Sequence, residues 1–177
     1  VSNTKYAILG LLVESPLSGY DIKKLINIRF RFFWNESYGQ IYPELKRLSQ
    51  QGHIQASDRL MLPRGSQVYQ ITQSGVKLLE TWVNQAPEKE SIRIEMLLKI
   101  YHGKFAHEDV LTGYIQSYER QHQFDLNQLM MFKQELLAIP DPYGNHQDIL
   151  DVIEFGIKTN VAYLEWCKMM LSKRGSS

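Results

Sequence analysis

Ser37, Tyr38, Gln40, Tyr42 and Lys46 fall within ten residues of one another, in the stretch SYGQIYPELKRLSQQG (37–52). All five side chains donate hydrogen bonds, and Lys46 adds a positive charge. Hydroxyl, phenol, carboxamide and ammonium donors in one place suit a partner rich in acceptors, such as phosphate oxygens and base edges. The chemistry they suit is recognition. The same stretch holds two residues that a helix resists, Gly39 and Pro43. Inside a helix a glycine costs about 1 kcal/mol and a proline about 3 kcal/mol.

On a helical wheel, Ile41, Leu45 and Leu48 share one side. Gly39, Pro43, Lys46 and Gln50 share the opposite side, with Gln40 and Arg47 at one border and Tyr38 and Tyr42 at the other. Pro43 lacks the N–H that would bond the Gly39 carbonyl, so both breakers act on one outward turn. Glycine lets a backbone approach another surface, and a helix amino terminus attracts phosphate. A packing reading stays open from these residues alone: proline favours a first turn, tyrosines fill cores, and basic residues line solvated faces.

Other chemistry finds no support. The five histidines, 53, 102, 107, 122 and 146, are scattered without metal-ligand spacing. His107-Glu108-Asp109 reads as a helix cap. Neither a G-x-x-x-x-G-K loop nor a G-x-G-x-x-G fingerprint occurs. No catalytic residue, cofactor or metal is expected. The single cysteine, Cys167, excludes an internal disulfide and reads as a buried, inert thiol. A cytoplasmic setting follows most simply. No apolar run has the length to span a bilayer, and VSNTKYAILGLLVES lacks a signal-peptide layout.

TKYAILGLLVE (4–14) is apolar nearly all round and predicts a buried helix. Ser18 with Asp21 three residues later predicts a capping box, then a helix with Tyr20, Ile22, Leu25, Ile26 and Phe30 inward. Ser37 can cap the next helix, with Gln40 at its third position, and Gly52 ends it. HIQAS (53–57) and QVYQI (67–71) alternate as a hairpin, whose tip carries Arg59 and Arg64. Thr72 caps a helix through Trp82. Three helices, a basic hairpin and a helix spell a winged helix-turn-helix, mostly α with a small β part. The hairpin is its wing.

Pro87 and the charged run EKE mark a boundary, giving domains 1–86 and 87–177. The first holds ten Lys/Arg and six Asp/Glu; the second holds ten and thirteen. A basic front half fits a polyanionic partner. The second half is helical throughout: 91–101, 107–138 and 146–172, with DPYGN (141–145) as a turn. The last helix is apolar on two faces. Ile149, Ile153, Ile157, Val161, Leu164 and Leu171 form one. Val152, Phe155, Ala162, Tyr163, Trp166 and Met170 form the other. A second subunit is the expected cover; an intramolecular bundle is the alternative. RFRFFW (29–34) is dense in aromatics. It reads either as core or as a wall for a flat effector between the two halves. Phe33, Trp34, Tyr163 and Trp166 are then the effector candidates.

Four segments resemble the winged-helix domain of the PadR family of bacterial transcriptional regulators. They are YAILGLL (6–12), SGYDIKK (18–24), GQIYPELKRLSQQGHI (39–54) and YQITQSG (69–75), in family order and spacing over about 85 residues. The long helical rear half is similar in layout to the larger subfamily, whose carboxyl-terminal domain is like that of the virulence activator AphA. The resemblance implies a homodimer that binds operator double-stranded DNA. It also implies frequent repression, and in some members a response to phenolic acids or drugs. It makes GQIYPELKRL the recognition helix, with Tyr38, Gln40, Tyr42 and Lys46 for the major groove and Ser37 for a phosphate. It makes LMLPRGSQVYQI the wing, with Arg64 for phosphate or the minor groove. Family wing tips often carry several basic residues, whereas Met61 and Leu62 occupy this one. The competing expectation is a winged-helix module that binds a partner protein instead of DNA.

Overall fold

The computed structural model describes residues 3–30, 32–34, 38–57, 67–89, 92–107 and 109–174. Ser37, Arg59 and Arg64 lie outside them. The chain divides into two compact units, Val1–Glu88 and Lys89–Ser177.

The first unit opens with α1 (Thr4–Glu14), followed by β1 (Leu17–Ser18) and α2 (Gly19–Arg29). A 3-10 turn (Tyr38–Gln40) leads into α3 (Ile41–Gln50). Strands β2 (Ile54–Ala56) and β3 (Val68–Ile71) and helix α4 (Gln73–Val83) complete it. α1 is buried as its composition requires: Ile8, Leu9, Leu11 and Leu12 join Ile22, Ile26, Ile41, Leu45, Leu48 and Ile54 in one core. Tyr6 on α1 stacks on Trp82 of α4, centroids 4.2 Å apart. The sheet runs β1-β3-β2, antiparallel, with Leu17 opposite Tyr69 and Ile54 opposite Ile71. Alternation along the chain predicts only the hairpin. The third strand is two residues long, too short for any alternation to announce it.

The capping box of α2 forms in full. The Asp21 N–H donates to Ser18 Oγ (3.1 Å), and the Ser18 N–H donates to Asp21 Oδ2 (3.3 Å). Ser18→Ala is expected to lower stability by about 1 kcal/mol, measured by chemical denaturation. One inward assignment on this helix is corrected: Tyr20 is 67% exposed. Gly19 is the residue facing inward, buried against Tyr42 and Leu45 of α3, so its neighbour is turned to solvent.

α3 is also corrected at its start. The α-helix begins after Gln40, which occupies the cap position without a side-chain cap bond. Pro43 is therefore the third helical residue. Its missing N–H is one that no helix satisfies internally, and Gly39 lies ahead of the helix. The helix carries no mid-helix defect. Its far end follows expectation: Gly52 takes φ +73°, with Gly52 N–H donating to Ser49 O (3.1 Å) and His53 N–H to Leu48 O (2.9 Å).

The second unit is α5 (Glu95–Tyr101), a 3-10 turn (Gly103–Phe105), α6 (Val110–Ala138) and α7 (His146–Arg174). The expected cap at 107–109 does not form within the described residues. Asp109 sits at φ 62° without a side-chain cap bond, and Glu108 lies outside them. The turn before α7 is better anchored: the Asp141 carboxylate accepts from the Asn145 and His146 N–H groups, each at 3.1 Å. α6 and α7 pack antiparallel. Tyr118 meets Tyr163, His122 meets Asn160 and Lys133 meets Glu154. On α7 the buried stripe is Ile153, Gly156, Asn160, Leu164 and Cys167. Val161, expected beside them, is 38% exposed, whereas Asn160 is buried with its Oδ1 bonded to His122 of α6.

Candidate nucleic-acid interface

α3 is divided sharply between two environments. Ile41, Leu45 and Leu48 are buried, at 3%, 1% and 0% exposure. Gln40, Tyr42, Pro43, Lys46, Arg47 and Gln50 are exposed. A Cβ on Gly39 would meet nothing within 4 Å, so no neighbour in the described chain demands glycine there. The Tyr42 ring lies over Gly19 at the start of α2, which fixes where it leaves the surface.

The charges on this face are unequal. Arg47 is held by Glu44 on its own helix, 2.7 Å from Nη2 to Oε1, with a second bond from Nε at 3.2 Å. Lys46 has no ion-pair partner among the described residues. The free ammonium is therefore the one the sequence singled out, and Arg47 is partly neutralised. Tyr38 belongs to the 3-10 turn that opens the face. The structure thus brings Gln40, Tyr42 and Lys46 onto one exposed surface.

The root of the wing is tightly built. The Thr72 N–H donates to His53 O (3.0 Å), Thr72 Oγ1 donates to Gly52 O (2.7 Å), and His53 Nδ1 meets Ser74 Oγ at 2.9 Å. These bonds tie the end of α3 to the start of α4, with β2 and β3 between them.

Two of the four effector candidates belong to the first unit and two to the second. Phe33 is half exposed and meets Phe30 and Phe32 edge-on, at 5.8 and 4.8 Å. Trp34 is partly buried, and its indole N–H is buried without a hydrogen-bond partner among the described residues. Tyr163 and Trp166 lie on α7 in the second unit.

Sequence reasoning missed the company that Tyr163 keeps. His122 stacks on it (4.2 Å, 23°), and Tyr118 meets both rings edge-on. Asn160 Nδ2 donates to Gly156 O (2.8 Å), which leaves Oδ1 to accept from His122 Nδ1 at 2.7 Å. That geometry places the proton of a neutral imidazole on Nδ1. Burial, then the neighbouring Tyr163, pushes the Tyr118 phenol up to about 12, so it stays neutral. Burial also raises the Cys167 thiol above its ordinary range, leaving little thiolate. The available signal was an asparagine lying in register with Ile153, Leu164 and Cys167. Among the described residues, no group of three His, Cys, Asp or Glu could hold a metal ion.

A helix-turn-helix with a three-stranded sheet, followed by a helical hairpin, defines the winged-helix class. Residues 8–81 match the model of the Transcriptional regulator PadR-like family, and residues 92–173 match that of the Virulence activator alpha C-term. The chain is 29% identical over 178 residues to the Negative transcriptional regulator PadR of Bacillus subtilis, covering 96% of this chain and 97% of that one. It superposes on the crystal structure of Bacillus subtilis PadR in complex with operator DNA with a TM-score of 0.76, at 27% identity, over 96% and 97% of the two chains. The complex of that protein with p-coumaric acid gives 0.70 at 27% identity, over 97% and 98%. The chain carries a domain of the PadR-like family of transcriptional regulators, followed by a carboxyl-terminal domain of the virulence-activator, AphA-like type.

Proposed function

We propose that two copies of this chain bind operator DNA and repress transcription, with one α3 in each of two successive major grooves. The observation that carries this reading is the outward face of α3. Gln40, Tyr42 and an unpaired Lys46 stand exposed on a helix whose other side is fully buried. A helix so anchored presents donors without spending its core contacts. Tyr38, Gln40, Tyr42 and Lys46 read bases, Ser37 takes a phosphate, and Arg64 on the wing holds the flanking backbone or minor groove. The relative crystallised with operator DNA and described as a negative regulator supports both the ligand and the sign. The reading involves no catalysis, and a cytoplasmic site of action suits it.

The second unit, 87–177, is the dimerisation domain in this reading, and 1–86 the DNA-binding domain. Val152 and Phe155 on α7, and Phe124, Met130 and Met131 on α6, are all exposed in the single chain. An apolar surface of that kind favours a second copy. Helical spacing set by the paired units must match about 34 Å between grooves.

A small aromatic acid releases the DNA. The buried Trp34 N–H, which has no acceptor among the described residues, supports a ligand carboxylate or phenol oxygen beside it, with Phe33 as a flat wall. Tyr163 and Trp166 remain candidates for the same ligand. The relative solved with p-coumaric acid supports the ligand class. Titrating p-coumaric acid is expected to quench tryptophan emission, and Trp34→Phe to abolish most of that quenching. Flat titrations with a panel of phenolic acids would exclude this effector.

The functional test is a gel shift with the DNA upstream of the chain's own gene. A discrete shifted band is expected at nanomolar protein. A shift that appears only at micromolar protein and on any duplex equally would favour the protein-interaction module.

A further inference from the structure

The outward surface of α2 repeats the chemistry of α3. Tyr20 and Lys24 are four residues apart, as Tyr42 and Lys46 are. Residues at that spacing share one face of a helix. Tyr20 is 67% exposed and Lys24 is exposed as well. Neither has a hydrogen-bond or ion-pair partner among the described residues.

The two helices meet at their tyrosine ends. A Cβ on Gly19 would stand 2.8 Å from Tyr42 Cε1 and 3.3 Å from Leu45 Cδ1. Tyr20, the next residue, is exposed at the same end of α2. Its exposure serves no packing role, because Gly19, Ile22 and Ile26 fill the inward face of α2. Asp21, the nearest carboxylate on this helix, is turned back onto Ser18, 2.6 Å from Oγ and 3.3 Å from the backbone N.

We propose that Tyr20 and Lys24 hold the sugar-phosphate backbone beside the groove that α3 enters. The Tyr20 hydroxyl donates to one phosphodiester oxygen and the Lys24 ammonium to a neighbouring phosphate. Their attachment points are about 6 Å apart along the helix, a short step for two long side chains. In a helix-turn-helix the first helix crosses the backbone while the second enters the groove. This assignment rests on the reading of α3 as the groove helix. Such contacts fix register and carry no base identity.

The test measures binding of the full chain to a fluorescent upstream duplex, and to base-substituted versions, between 50 and 200 mM salt (roughly the range over which phosphate contacts are felt). Tyr20→Phe, which keeps the ring, and Lys24→Ala are compared with wild type and Lys46→Ala. Each new variant is expected to bind about 3- to 10-fold more weakly on every duplex alike, with an unchanged circular dichroism spectrum. Lys24→Ala is also expected to lower the salt slope by about 1. Wild-type affinity and slope in both variants, with Lys46→Ala weakened, overturns the α2 assignment and leaves α3 standing. Weakening confined to one base sequence overturns it too, since that is base readout. Failure of every protein, wild type included, to bind any duplex removes the α3 reading and this assignment with it.

Discussion

Tyr42→Ala combined with Lys46→Ala is expected to weaken operator binding roughly 100-fold and to leave the fold and the dimer intact. A good contact to a base edge is worth about 1–3 kcal/mol, and a lysine contact to DNA adds a counterion-release term that grows as salt falls. Two such losses sum to about 3 kcal/mol. Neither side chain is part of the core: Tyr42 is 56% exposed, and the buried positions of α3 are Ile41, Leu45 and Leu48. Alanine is the better helix former at both places. The Tyr42 ring does lose its contact with Gly19, so a small fall in melting temperature is expected. Arg47→Ala is the internal comparison. Its guanidinium is occupied by Glu44, and removing it is expected to cost less binding than removing Lys46. Titration by fluorescence anisotropy at fixed salt, with sedimentation to follow the dimer, checks each part.

Gly75→Ala carries the second large effect, on stability. Gly75 lies in the first turn of α4, and its amide donates to Thr72 Oγ1 (3.2 Å). A Cβ there would collide with the His53 carbonyl oxygen and stand 2.7 Å from Ile71 Cγ1. The oxygen is backbone and already accepts the Thr72 N–H, so it has little freedom to retreat. In an open helix Gly→Ala gains about 1 kcal/mol. Here the sign is reversed, with an expected loss of about 3 kcal/mol, near the upper end for overpacking. For a unit of this size that lowers the melting temperature by roughly 15 °C. An unchanged or higher melting temperature would mean that α4 can shift away from the turn after α3.

Most of the first unit was legible because its signals are local. The Ser18–Asp21 capping box, the Thr72 cap and the Gly52 stop each depend on a few neighbouring residues, and each forms. The amphipathic split of α3 was legible for the same reason. What failed depended on partners distant in sequence. Tyr20 reads as inward by spacing, yet Gly19 takes the contact because α3 crosses there. Strand β1 exists only because β3 offers an edge. The His122–Asn160 bond joins residues 38 apart, and only the antiparallel packing of α6 on α7 brings them together. Pro43 was half legible: a helix beginning at Ser37 would hold it in its interior, whereas the α-helix begins at Ile41. The two-faced character of α7 was visible in its sequence, and its second face stays exposed in one chain at Val152 and Phe155.

In the proposed complex the solvent side of α3 lies in the major groove, twice. Because Cys167 is fully buried, a cysteine placed at Gln50, on the exposed side of α3, would be the reactive thiol for a tethered iron chelate. Cleavage of the operator from that position is predicted in two clusters about 10 base pairs apart, one for each α3 of the dimer. A complex that forms normally but is cut at random, or not at all, would contradict the claim.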